Sequence, residues 1–133
     1  LESRAGVLPR MGRGTVTRGR YRRALRAEMI RMRTGRHRSL PLSRRFRVLY
    51  LVQAPRPAAL GRFYKTLIGT RSHLLVLSYK AGRQAAFGSL NFPRSLLGDG
   101  RNLLFLAARA RERRLGFRYH YLVWMDHDLQ LVR

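Results

Sequence analysis

The sequence contains no cysteine. This absence excludes a disulfide framework, a thiolate zinc site and a cysteine nucleophile. The sequence also lacks any run of about 18 apolar residues, so we expect no membrane span within it. It has neither the Gly-x-x-x-x-Gly-Lys phosphate loop nor the Gly-x-Ser-x-Gly nucleophile elbow, which leaves P-loop hydrolysis and a serine hydrolase triad without support.

Acidic residues are scarce. Six Asp and Glu stand against 29 Lys and Arg in 133 residues, for a formal net charge of +23. Only Lys65 and Lys80 are lysines, and this preference for arginine is explained as well by the base composition of the coding DNA as by a selected ligand surface. A chain of this length has room for one compact domain.

Charge and apolar residues are unevenly distributed along the chain. Residues 1–45 carry a net charge of +12 and few large apolar side chains, which predicts a basic, poorly ordered leader or stem. Residues 46–133 carry a net charge of +11 and contain the long apolar runs. We therefore expect residues 46–133 to form the folded domain.

One segment of the leader has a helical pattern. Tyr21, Leu25, Met29 and Met32 recur at three- and four-residue steps among arginines, which predicts a short basic amphipathic helix. Such a helix fits an anionic membrane surface, an RNA, or a stem with a solvated face, and we favour the stem. The Arg-rich leader resembles an organelle transit peptide, and equally a linker beside a membrane anchor. Because the chain starts at Leu1, we expect a further N-terminal piece.

From residue 46 onwards, apolar runs typical of strands alternate with helical patterns. The predicted strands are Phe46–Val52, Leu74–Tyr79, a weaker Ala85–Phe92 and Tyr119–Met125, and the predicted helices are Ala58–Leu67 and Arg101–Leu115. This alternation predicts an α/β fold with a mostly parallel sheet and helices on both faces. Ligands of such sheets bind beyond the carboxyl ends of the strands, which here are loops 53–57, 79–83 and 126–128.

Two carboxylates lie at the end of the last predicted strand. Asp126 and Asp128 are separated by His127, in a domain with only four acidic residues. They offer hard oxygen ligands to Mg²⁺ or Mn²⁺, which would take further ligands from substrate phosphates. The alternative is a solvated turn whose aspartates pair with nearby arginines. We expect Trp124 to belong to the core of the preceding strand, and His120, in the same strand, to be packed or hydrogen-bonded.

The sequence around these carboxylates resembles a known family. The helix opens with Gly-Arg-Asn-Leu-Leu at residues 100–104, and the aromatic strand Tyr-His-Tyr-Leu-Val-Trp-Met runs directly into Asp-His-Asp. Residues 46–133 thus resemble the nucleotide-sugar half of a GT-A type glycosyltransferase. The resemblance implies a Rossmann-like sheet, a nucleotide-sugar donor, a Mn²⁺ or Mg²⁺ cofactor and, with an upstream anchor, a Golgi or secretory location.

The resemblance also implies roles for individual residues. Asp128 would ligate the metal directly, and Asp126 would contact the donor ribose or a metal-bound water. Arg101 would bind a donor phosphate at the N-terminus of its helix. Arg56 and Lys80, in the loops after the first two strands, are weaker candidates for donor binding.

The sequence departs from the family pattern in two places. His127 stands where many relatives have another Asp, and we expect it to face solvent. The chain ends at Arg133, before any acceptor-binding half or general base, so we expect a fragment without turnover by itself.

The net charge supports a second class of function. A basic arm joined to a small domain is typical of RNA-binding or ribosomal proteins, whose arginines neutralise phosphates. The domain sequence contains no recognisable RNA-binding motif, and its aromatic residues fall within apolar strands. We therefore expect any nucleic acid to bind through the N-terminal arm.

Overall fold

The computed structural model describes residues 14–35, 37–55, 71–80, 89–93 and 95–127. Their elements in chain order are β1 (Gly14–Thr15), α1 (Arg18–Thr34), a 3-10 turn (His37–Ser39), β2 (Val48–Ala54), β3 (Ser72–Ser78), β4 (Ser89–Asn91), α2 (Leu97–Leu115) and β5 (Tyr121–Asp126). The strand order is β1-β4-β3-β2-β5, and all four neighbouring pairs are parallel. The predicted α/β fold with a parallel sheet is confirmed.

Apolar side chains cover both faces of the sheet. On one face Leu49 and Leu51 of β2 are fully buried in a core shared with both helices. On the other face Val52 and Ala54 of β2 are also fully buried. Continuous apolar runs such as the one in β2 arise because successive side chains point to opposite faces, both of which are shielded from water.

Both helices pack on the same side of the sheet. Tyr21 and Ala24 of α1 join the core together with Leu104 and Ala108 of α2. The predicted helix over Ala58–Leu67 lies outside the described residues, so helices on both faces remain a prediction. Among the described residues, no helix combines the length and the apolar character needed to cross a membrane.

The start of α2 differs from the prediction. The helix predicted over Arg101–Leu115 starts earlier in the structure, because α2 begins at Leu97 and includes Gly98, Asp99 and Gly100. Asp99 lies in the first turn, where a carboxylate is favoured by the helix dipole. That contribution helps to offset the low helix propensity of the two glycines.

The boundary expected at residue 45 does not separate two units in the described part of the chain. β1 pairs with β4, and Val16 is 1% exposed within the common core. The predicted amphipathic helix is confirmed as part of α1, where Thr17 caps the N-terminus by accepting from the backbone N–H of Arg20 at 3.2 Å. Within the predicted leader over residues 1–45, the described residues 14–35 belong to the fold, because α1 buries Tyr21 and Ala24 in the core that it shares with α2. Residues 1–13 lie outside the described part.

A buried carboxylate joins α2 to the strand that follows it. Glu112 is 1% exposed, and its Oε2 accepts from the backbone N–H of Tyr119 at 2.7 Å. Its Oε1 accepts from Arg109 Nη1 at 2.8 Å and lies 3.0 Å from His37 Nε2 in the 3-10 turn. One side chain therefore fixes the end of α2, the approach to β5 and the segment after α1.

A second buried carboxylate joins the two helices. Glu28 of α1 is 2% exposed and forms a two-point ion pair with Arg113 of α2, whose Nη1 donates to Glu28 Oε1 at 2.8 Å. Arg113 Nη1 also lies 3.2 Å from His37 Nδ1, so the two carboxylates belong to one network. A buried charge without its partner is costly, and each member therefore depends on the others.

Within this network His37 is held neutral. Burial lowers the pKa of His37, Glu112 raises it, and the nearby Arg109 and Arg113 lower it, with a net downward shift. The acceptor Glu112 Oε1 beside Nε2 and the donor Arg113 beside Nδ1 favour the Nε2–H tautomer, and Arg109 Nη1 also lies 3.1 Å from Nε2. Burial, followed by the charges of Arg111 and Arg47, also lowers the pKa of His73, whose Nδ1 lies 2.6 Å from the Tyr119 hydroxyl.

Replacing Glu112 with Gln should destabilise the protein by about 3 kcal/mol, because Arg109 loses its buried counter-charge. The matched control is Asp99→Asn, which breaks the more exposed Arg18–Asp99 pair (3.4 Å) and should cost less than about 1 kcal/mol. Urea denaturation followed by circular dichroism measures both. Equal losses in the two variants would contradict the assigned role of Glu112.

Stability should fall as the pH is lowered from 7 towards 5. Below the usual histidine pKa of about 6.5 the unfolded chain takes up protons that folded His37 and His73 do not yet accept, so the free energy of unfolding decreases. The double variant His37→Gln, His73→Gln should flatten this dependence. An unchanged slope in urea denaturation between pH 7 and 5 would refute the assignment.

Candidate functional site

The strand order reverses beside β2. The chain passes from β2 to β3 and β4 on one side, and α2 then returns it to β5 on the other side. In parallel α/β sheets such a reversal leaves a crevice at the carboxyl ends of the strands, here those of β2 and β5.

A cavity of about 670 Å³ occupies this crevice. Its walls come from β2, the end of β3, the approach to α2, the first turns of α2, and β5 with the residue after it. The lining residues are Leu51, Gln53, Tyr79, Ser95, Leu97, Arg101, Val123, Trp124, Met125, Asp126 and His127. This volume is typical of small-molecule and cofactor sites.

The parallel register explains why polar groups meet here. Gln53 of β2 is paired in register with Asp126 of β5, and Leu51 with Trp124, two residues earlier. Residues at a two-residue step share a face, so Gln53, Asp126 and Trp124 all lie on the side of the sheet that carries α2.

Gln53 and Gly100 fit closely together at the base of α2. Gln53 Nε2 donates to the carbonyl oxygen of Leu97 at 3.3 Å. A Cβ at position 100 would lie 2.9 Å from Gln53 Cδ, closer than real Cβ atoms approach. Glycine at position 100 therefore allows the Gln53 side chain to pass beneath the first turn of the helix.

Arg101 and Trp124 form the exposed wall of the cavity. The Arg101 guanidinium carbon lies 5.7 Å from the centroid of the Trp124 ring, which is a cation–π distance. Trp124 is 42% exposed, so the expectation that it packs inside the strand is wrong. Trp124 belongs to β5, the outer strand of the described sheet. Its ring lies on the side of the sheet that carries α2 and borders the cavity.

Two further groups give the cavity hydrogen-bonding capacity. The Ser95 hydroxyl is buried and has no hydrogen-bond partner among the described residues. Leu96 occupies the cap position of α2, and no side chain in the described structure caps that helix. The first backbone N–H groups of α2 are therefore left without side-chain acceptors at this end.

The residues expected at the site fall into three groups. Asp126 and Arg101 line the cavity, as does His127, which is partly buried and does not simply face solvent. Lys80 is exposed and is not among the lining residues, although its neighbour Tyr79 is. Arg56 and Asp128 lie outside the described residues.

The described residues contain no group of three or more His, Cys, Asp or Glu side chains arranged to hold a metal ion. Asp126 is the carboxylate that the described part brings to the cavity. A Mg²⁺ ion is commonly bound through one or two carboxylates together with water and substrate phosphates. The chemistry of the donor set therefore fits a cation that is shared with an anionic ligand.

Sequence reasoning placed Gln53 in a predicted ligand-binding loop without giving it a role, and it missed Ser95 and Trp124 as lining residues. Gln53 was assigned to a loop because a polar residue just before Ala-Pro carries no local sign that the strand continues through it. Trp124 was missed because an aromatic residue in an apolar run is typical of a core. Nothing in the sequence pattern marks Ser95.

His120 behaves as expected. Its Nδ1 accepts from the backbone N–H of Arg47 at 3.2 Å, and its ring packs 5.2 Å from Phe46. The side chain is partly buried and immediately precedes β5.

Comparisons of the chain with protein-family models, with curated proteins and with solved structures found no match.

Replacing Gly100 with Ala should reveal the contact with Gln53. The gain in helix propensity, about 1 kcal/mol, should be cancelled by the loss of the Gln53–Leu97 hydrogen bond, also worth about 1 kcal/mol. In a Gln53→Ala background the same change should stabilise the protein by about 1 kcal/mol.

Gly98→Ala is the matched control, because no atom lies within 4 Å of a Cβ at that position. It should have the same effect in both backgrounds when measured by urea denaturation. If Gly100→Ala and Gly98→Ala respond identically to the loss of Gln53, the proposed close approach is wrong.

Proposed function

We propose that the cavity binds the nucleoside diphosphate part of a nucleotide-sugar donor, as in the nucleotide-binding half of a GT-A type glycosyltransferase. The observation that carries the proposal is a cavity at the reversal of strand order, lined by both Asp126 and Arg101. The order β4-β3-β2-β5 is also the order of the first four strands in dinucleotide-binding sheets.

Each part of such a ligand has a chemically suitable partner. The start of α2 and the guanidinium of Arg101 favour the diphosphate. The exposed ring of Trp124 and the partly buried ring of Tyr79 offer flat apolar surfaces to a base. The Ser95 hydroxyl and Gln53 offer hydrogen bonds to ribose or sugar hydroxyl groups.

The carboxylate of Asp126 favours a metal-dependent mode of binding. A diphosphate beside Asp126 would experience like-charge repulsion unless a cation lay between them. We propose that Asp126 and Asp128 hold Mn²⁺ or Mg²⁺ and that the ligand phosphates complete its coordination. The metal would supply charge neutralisation of the diphosphate leaving group.

Within this proposal the residues of the chain bind and orient the donor. Arg101 positions a phosphate, and its stacking on Trp124 restricts the guanidinium to the cavity wall. Gln53 holds the first turn of α2 against β2 through Leu97, which fixes where the helix N–H groups point. The proposal assigns neither the acceptor-binding site nor the general base to these residues.

Titration calorimetry with UDP and GDP, each with MnCl₂ or with EDTA, tests the proposal. We expect at least one of them to bind about tenfold or more tightly with Mn²⁺, because the cation removes the repulsion. Asp126→Asn should abolish this metal-dependent increment. Arg101→Gln should weaken binding both with and without the metal.

Asp99→Asn and Arg114→Gln are matched controls, since both positions lie on α2 and neither residue lines the cavity. Arg114→Gln should bind like the wild type, and Asp99→Asn should keep the full metal-dependent increment. Absence of any metal effect in the wild type, or equal losses in Asp99→Asn and Asp126→Asn, would count against the donor site.

One observation favours the RNA-binding alternative. Phe46 and Tyr121 are 52% and 62% exposed, and their rings lie 5.9 Å apart beside β5, which contradicts the expectation that these aromatics are enclosed in strands. Exposed rings of this kind can stack with bases. Binding of single-stranded RNA that is lost in Phe46→Ala, Tyr121→Ala, and kept in Asp126→Asn, would favour this alternative.

A further inference from the structure

α1 has two sides of different character. Its inner side buries Tyr21, Ala24 and Glu28. On the opposite side lie five exposed residues, each within four positions of the next, and together they form the outer face of α1: Arg22, Arg26, Met29, Ile30 and Arg33.

The outer face combines positive charge with apolar surface. Met29 and Ile30 are 50% and 55% exposed, and Arg26 and Arg33 lie one turn away on either side. Glu28 is the one carboxylate in α1, and it points inward to Arg113. The outer face therefore presents three arginines without an acidic residue of the same helix beside them.

We propose that the outer face of α1 docks on an anionic lipid bilayer. Arginine side chains lay their apolar stems along the interface while their guanidinium groups reach lipid phosphates. Met29 and Ile30 lie between those arginines, where they would enter the boundary between headgroups and acyl chains. RNA phosphates would use the arginines but would leave these two apolar side chains in water.

Docking on this face leaves the cavity open to solution. α1 and α2 run side by side in the same direction, with Arg18 near Asp99 at one end and Glu28 near Arg113 at the other. The cavity lies at the end where α2 starts, between β2 and β5. The outer face points away from the sheet, so the membrane and a cavity ligand would contact different surfaces.

Co-sedimentation of the full chain with vesicles tests the proposal. Vesicles of phosphatidylcholine with one quarter phosphatidylserine should bind the protein, and pure phosphatidylcholine vesicles should bind it far less. Arg22→Gln, Arg26→Gln, Arg33→Gln should weaken binding roughly 100-fold. Met29→Ser, Ile30→Ser, which leaves the charge unchanged, should weaken it about tenfold or more.

The charge-matched control is Arg44→Gln, Arg45→Gln, Arg114→Gln, three exposed residues outside α1. This control should lose less than about fivefold, because its arginines would not contact the lipid. Circular dichroism melts of all variants establish that each is folded. Equal losses in the two triple variants, or unchanged binding in Met29→Ser, Ile30→Ser, would overturn the proposal in favour of general charge attraction.

A fluorescent reporter tests insertion directly. Ile30→Trp in a Trp124→Phe background places the sole tryptophan on the outer face. Its emission should shift to the blue with anionic vesicles and should not shift with single-stranded RNA. A blue shift with RNA alone would show that this face binds nucleic acid instead.

Discussion

The carboxylate of Glu112 is the interaction on which the arrangement of the other elements depends. It is buried, and it accepts hydrogen bonds from the backbone of Tyr119, from Arg109 and from His37. These three donors belong to the approach to β5, to α2 and to the turn after α1. Because a buried charge must keep its partners, these three segments hold a common geometry. The position of β5, and with it Trp124 and Asp126, follows from this geometry.

The sequence predicted the central strands and the class of fold because those features are local. β2 and β3 appear as apolar runs, and their positions in the structure differ by about two residues from the prediction, which is usual for element boundaries. The observed strand ends differ from the predicted ones where a polar residue such as Gln53 continues a strand. No local pattern distinguishes a polar strand residue from a loop residue.

The N-terminal third shows where composition misleads. Averaged over 45 residues, the arginine content indicated a leader that could not fold. In the structure α1 needs only a narrow inner side, formed by Tyr21, Ala24 and Glu28, to join the core. Glu28 is neutralised by Arg113, which is 85 residues away in the chain. Composition averages carry no information about such distant pairs, so the sequence could not predict this docking.

The candidate site was predictable to the extent that it lies at strand ends. Asp126 could be identified because the carboxyl end of β5 is recognisable in sequence, and Arg101 because it lies near the start of α2, although α2 begins four residues earlier than predicted. Gln53 and Trp124 depend on the register of β2 with β5 and on β5 being the outer strand of the described sheet. Those properties arise from the pairing of strands that are distant in the chain, and the amino-acid sequence does not specify this pairing locally.

The parallel arrangement of α1 and α2 has an electrostatic consequence. Both helices start at the carboxyl end of the sheet, so the positive ends of two backbone dipoles lie at the same end of the molecule as the cavity. The net charge of +23 is also positive, so near the cavity the helix dipoles and the net charge attract anions together. An anion approaching from solution would be guided towards this end over about a Debye length. The rate of anion capture at this end would therefore decrease as ionic strength rises.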